Sequence, residues 1–156
     1  MPKALMSCKI GALAILVVSF FTHANASQCD ALAARFLQQE QQAKFLRNSV
    51  TTIFFKNPAT SSISLNCLRN QPNFSFFWNG AFPSNDFFSL TARAGALLTN
   101  KKENEVLKAI HRCHQHALKD PQELSSLESK GFAVECQAFI RDGGGTSISI
   151  YNNSQQ

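Results

Sequence analysis

The sequence predicts an α+β fold: a two-layer domain with a mainly antiparallel sheet of about five strands on a long, broken helix, held by two disulfides. Three observations predict it. Residues 84–119 are the one long stretch with sustained helical periodicity. Segments rich in β-branched and aromatic residues lie on both sides of it. Beyond the first 26 residues the chain keeps four cysteines, an even number. The expected order is helix, three strands, helical layer, two-stranded hairpin. Strands joined by hairpins pair antiparallel, and a helical layer buries its apolar stripe against the sheet they form.

The N-terminus reads as a targeting segment. Lys3 and Lys9 supply positive charge, residues 10–21 are apolar or small, and Ala24-Asn25-Ala26 is an A-x-A cleavage site. Residues 1–26 are therefore expected to be a cleaved signal peptide, and 27–156 a single domain. The apolar run is shorter than the roughly 20 residues that span a bilayer. Leu5-Met6-Ser7-Cys8 imitates a lipoprotein box, but the apolar run follows it instead of preceding it. The segment holds two of the 15 basic side chains and none of the 10 acidic ones, which leaves the mature chain at +3. Such a balance gives no argument for a nucleic-acid partner. No later segment reads as transmembrane, so the expected location is the periplasm or the exterior.

The elements follow in order. Residues 28–47 read as helix, with Leu32, Phe36 and Leu37 at helical spacing, a glutamine-rich polar face at 38–42 and Ser27 as cap. Residues 49–56 favour a strand, and Asn57-Pro58-Ala59 breaks it. Residues 62–69 alternate, with Ile63, Leu65 and Cys67 on one side. Residues 74–78 form the third strand, and Asn79-Gly80 is a turn. Ser84 caps the helical layer, whose first half aligns Phe87, Leu90, Ala94 and Leu97. Thr99-Asn100 marks a break, and Asn100 with Glu103 imitates a capping box. The second half aligns Val106, Ile110, Cys113 and Ala117 and stops before Asp120-Pro121. Residues 121–127 read as a short helical turn. The fourth strand, 132–140, turns Phe132, Val134, Cys136, Ala138 and Ile140 inward. A glycine-rich loop at 142–145 leads to the fifth, 146–151, with Ile148 and Ile150 inward. Its strand-after position favours a plain hairpin over a phosphate-binding loop, which needs a helix after it.

Cys29, Cys67, Cys113 and Cys136 read as two disulfides of an exported chain. Four cysteines allow three pairings. The preferred one joins Cys29 to Cys67 and Cys113 to Cys136, tying the first helix to the early strands and the long helix to the late hairpin. Each bridge contributes roughly 2–4 kcal/mol, mainly through the unfolded chain.

Three features bear on function. His111, His114 and His116 flank Cys113, and the first two are one turn apart, a spacing that suits a shared metal. The competing account is favoured: histidines near a helix C-terminus suit the dipole, and Cys113 is taken up by a disulfide. Lys108, Arg112, Gln115 and Lys119 form a helical stripe that reads as a solvated face. The aromatic concentration at Phe74, Phe76, Phe77 and Trp78 is the best functional lead. Alternation puts Phe77 on the opposite face from the other three. One face of a two-layer sheet meets solvent, so part of this strand is a candidate partner patch.

No G-x-S-x-G elbow and no H-E-x-x-H occurs, and no cofactor motif is readable. The expectation is thus an exported, disulfide-stapled, non-enzymatic domain of the bacterial cell envelope or secretome that binds another protein. The alternatives are a metal-binding or redox protein using the His111/Cys113/His114/His116 cluster, or a secreted hydrolase. The last forty or so residues, a cysteine-bearing helix and then a hairpin with Ile140-Arg141-Asp142 and a glycine, resemble one class of type II secretion pilot proteins. That likeness implies a small envelope α+β domain that binds a partner. Those proteins are usually lipid-anchored, which this chain is not expected to be.

Overall fold

The computed structural model describes residues 28–68 and 71–153. The expected signal segment, its cleavage site and the cap Ser27 lie outside the described residues. Helix α1 (Gln28–Gln39) leads into β1 (Lys44–Asn48), β2 (Thr52–Asn57), β3 (Thr60–Asn66) and β4 (Asn73–Trp78). Helices α2 (Asn85–Thr99) and α3 (Glu103–Ala117) follow, then β5 (Leu124–Ser129), β6 (Phe132–Phe139) and β7 (Gly145–Asn152). The seven strands form one sheet in the order β1-β2-β3-β4-β7-β6-β5, with every pairing antiparallel. Two meanders thus meet where β7 pairs with β4. The helical pair α2–α3 carries the chain from the middle of the sheet to its far edge.

The sheet has seven strands where five were expected. The two extra ones are the edges. The first helix ends at Gln39, and 44–48 is strand β1, not a continuation of it. The expected helical turn at 121–127 is replaced by strand β5 from Leu124. Both errors have one cause. Every residue of β1 is exposed, and β5 has no buried residue. Periodicity in a sequence records burial, so a strand held by backbone pairing at a rim carries little of it.

The helical layer is broken where expected. The Phe87 amide donates to Ser84 Oγ at 3.3 Å, and Asn100 ends α2 in the left-handed conformation at φ 55°. The capping-box expectation needs correction. Asn100 closes α2, whereas the residue preceding α3 is Lys102, with no side-chain cap bond.

One face of the sheet carries the core. Phe55, Ile63, Phe76, Ile148 and Cys136 lie in register across five strands, and Leu65, Phe74, Ile150 and Val134 form the next row; all are buried. Helix α1 inserts Phe36 between Phe55 and Phe74, with ring centroids at 5.1 and 5.0 Å. Burying such a side chain stabilises by roughly 1.5–3 kcal/mol. The disulfides are Cys29–Cys67 and Cys113–Cys136, with Cα separations of 6.0 and 5.8 Å. They clamp α1 to the end of β3 and α3 to β6. Ile140, expected to point inward, lies past the end of β6 and is exposed.

Candidate functional site

The aromatic strand β4 splits its side chains among three environments. Phe74 and Phe76 face the helices and are fully buried. Phe76 meets Phe87 with ring centroids 6.5 Å apart. Neither can touch a partner, because the core consumes their whole surface. Phe77 points to the other face and is 37% exposed. Trp78 is half-buried on the helix side, 6.0 Å from the Phe87 ring. The four residues therefore form no common surface.

The open face of the sheet is a floor of short polar side chains. Ser64, Ser75, Ser149 and Glu135 lie in one row. Ser75 and Ser149 hydroxyls are 2.8 Å apart, Thr52 donates to Asn66 at 3.1 Å, and Asn66 donates to Asn73 at 2.9 Å. Tyr151 donates its hydroxyl to Glu135 at 2.9 Å. Burial, then this carboxylate, pushes the Tyr151 phenol above its ordinary pKa. Phe77 and Phe54 rise from this floor.

The histidine cluster does not converge. Cys113 is in a disulfide, and His116 is exposed. His114 is buried with Nε2 2.9 Å from the Ala81 carbonyl and 3.5 Å from Thr146 Oγ1. Its neutral form serves there, with Nε2–H donating to the carbonyl. Thr146 in turn donates to the Gly80 carbonyl at 3.0 Å. The Phe88 ring lies against both His111 and His114, with centroids at 4.4 and 5.3 Å. Burial lowers the His114 pKa. His114 thus anchors the turn after β4 to α3. Among the described residues no group of three His, Cys, Asp or Glu side chains is placed to hold a metal.

A cleft of about 570 Å³ opens between the end of α1, the β2–β3 hairpin and the start of α2. Trp78, Gln39, Gln42, Asn57 and Asp86 are among its walls. Arg93 grips Glu40 there, and that hydrogen bond raises the guanidinium pKa. Glu40 is committed to Arg93. The remaining ionisable group on the walls is Asp86, which leaves no pair of carboxylates for acid–base work.

The surface that sequence reasoning missed is the β1 edge. Among the described residues no strand lies beyond β1 in the sheet. Phe45 and Leu46 are 54% and 55% exposed, and Val50 in the next turn is fully exposed. The register slips between Phe45 and Arg47. Lys44 stands opposite Lys56, and Arg47 opposite Phe54, with its guanidinium 4.0 Å from that ring's centre. The sequence records the charge of this surface but not its edge position: residues 41–85 contain no aspartate or glutamate. Comparison with protein-family models, with curated proteins and with solved structures finds no match for this chain.

Proposed function

We propose that this chain is an exported domain of the bacterial cell envelope or secretome that acts by binding another protein and not by catalysis. The observation that carries this is the β1 edge, where Phe45 and Leu46 stand exposed along the rim of the sheet and Val50 stands exposed in the turn that follows. A free edge presents a row of backbone donors and acceptors, and apolar side chains upon it are a liability unless a partner covers them. Strand addition to such an edge is a recurring mode of protein recognition. The two disulfides suit an oxidising compartment, and no helix among the described residues is long and apolar enough to cross a membrane. The disulfides also take up all four cysteines among the described residues, so none of these offers a free thiolate to a metal.

A photo-crosslinking residue placed at Leu46 tests this in cells that export the native protein. The expected result is one discrete adduct with another protein, absent when the crosslinker stands at Lys108 on the exposed face of α3. The Phe45→Ser/Leu46→Ser variant should fold as the parent does, because both side chains are more than half exposed, and should lose the adduct. No adduct from Leu46, or the same smear from both positions, overturns the proposal.

A further inference from the structure

The β1 edge carries a chemical signature beyond its apolar side chains, and the partner class it selects presupposes the protein-binding role proposed for that edge. Residues 41–85 hold four basic side chains, Lys44, Arg47, Lys56 and Arg69, and no acidic one. The mature chain has a net charge of +3, so the rest of it sums to −1. Its excess positive charge is therefore confined to the stretch that builds β1 to β4.

The sheet brings three of these cations, Lys44, Arg47 and Lys56, together on β1 and its neighbour β2. Lys44 and Lys56 are direct cross-strand neighbours, an arrangement that is destabilising for like charges. Arg47 joins them on the open face, opposite Phe54. The ion pairs Arg93–Glu40 and Arg141–Glu123 take up no cation of β1 or β2. Phe45 is in register with the buried Phe55 and so points to the helix side, yet it remains 54% exposed at the outermost strand. The edge thus has two unlike sides: three cations toward the open face and one phenylalanine toward the core face.

We infer that β1 receives an extended, acidic segment of a partner protein, added as an eighth strand whose side chains alternate. Successive residues of a strand point to opposite faces. Residues of the added strand on the open face lie beside Lys44 and Arg47 and are acidic. Residues on the other face lie beside Phe45 and are apolar. The same charges disfavour a second copy of this chain, because pairing β1 with β1 would bring Lys44 and Arg47 of each copy together. Backbone pairing supplies affinity in such a complex, and the alternation sets register.

The test uses the mature protein and a fluorescein-labelled heptapeptide alternating valine with glutamate, followed by anisotropy. Saturable binding is expected, weakened tenfold or more in Lys44→Glu/Arg47→Glu and at high salt. Two control peptides share its length: one with lysine in place of glutamate, and one with the same residues in a valine block and a glutamate block. Both should bind at least tenfold more weakly. Equal binding of the block peptide overturns the strand geometry, and indifference to the charge reversal overturns the acidic partner. If no peptide binds while the Leu46 crosslinker still traps one discrete protein, this inference falls and the binding reading stands. A second copy of the chain trapped at Leu46 overturns it as well.

Discussion

Arg93 holds Glu40 through two hydrogen bonds, Nε to Oε1 at 2.6 Å and Nη2 to Oε2 at 2.8 Å. The pair joins α2 to the residue just past α1, across 53 positions of sequence. The Glu40 side chain is only 8% exposed, whereas Arg93 is 35% exposed. Removing the arginine leaves a nearly buried carboxylate without its partner. Solvent at the Arg93 end tempers that cost, so Arg93→Met should destabilise by about 2 kcal/mol in urea denaturation. The double variant Arg93→Met/Glu40→Met should recover most of the loss, because no unpaired charge remains. If the double variant is as unstable as the single one, packing and not the ion pair holds this junction.

His114 makes stability depend on pH in a defined direction. Burial disfavours the imidazolium, so the unfolded chain binds this proton more readily than the folded one. The contribution is fully present above the ordinary imidazole pKa of about 6.5 and is lost as pH falls below it, through the lowered folded-state value. Urea midpoints should therefore drop between pH 7.5 and pH 5. His114→Gln keeps a donor for the Ala81 carbonyl and should flatten that part of the profile. An unchanged slope in the variant would assign the pH dependence to other groups.

Tyr151 is the single tyrosine, so phenolate absorbance reports one residue. Its midpoint should lie above the ordinary value of about 10, since burial and the hydrogen bond to Glu135 both favour the neutral phenol. Glu135→Gln should bring the midpoint down part of the way, because burial is the larger cause and persists. Circular dichroism over the same range checks that the fold survives. A midpoint unmoved by Glu135→Gln would show that the carboxylate does not hold the phenol in solution.

Gly95 sits inside α2, where alanine is normally the better helix former by about 1 kcal/mol. Here a Cβ would come within 2.6 Å of Ile150 Cδ1 and 2.7 Å of Val106 Cγ1. Both neighbours are fully buried, so one of them must shift within the packed core to admit the methyl group. Overpacking costs about 1–3 kcal/mol, so after the helix-propensity gain Gly95→Ala should show a net loss of up to about 2 kcal/mol in a denaturation curve. A stabilised variant would mean that α2 has room to stand further from β7 in solution.

The disulfides close loops of 38 and 23 residues. Chain entropy assigns them similar contributions, about 3–4 kcal/mol each. Cys29→Ala/Cys67→Ala and Cys113→Ala/Cys136→Ala should each lower stability by roughly that amount. The second should be the more damaging, since Cys113 and Cys136 are both buried and their sulfurs also leave a void. Equal midpoints for the parent and either variant would remove that bridge from the account of stability.

The sequence by itself determined the α+β class, the break at Asn100, the inward face of β6 and the cysteine framework. Each of these leaves a mark in composition or in a period of burial: Val134 and Cys136 are buried while Glu135 and Gln137 are exposed. Only the tertiary structure decided the pairing of β7 with β4, which lies between residues more than sixty positions apart. It also decided the fate of the aromatic strand. Phe74 and Phe76 were legible as sharing one face, but which face the helices cover is a property of packing. The edge strands β1 and β5 were invisible for a related reason. Their backbones are paired while their side chains are largely left in water, so Lys44-Phe45-Leu46-Arg47-Asn48 carries no alternation to read. A hydrophobic pattern is written only where side chains are buried, and the surface offered to a partner is the part of the chain that its own core does not bury.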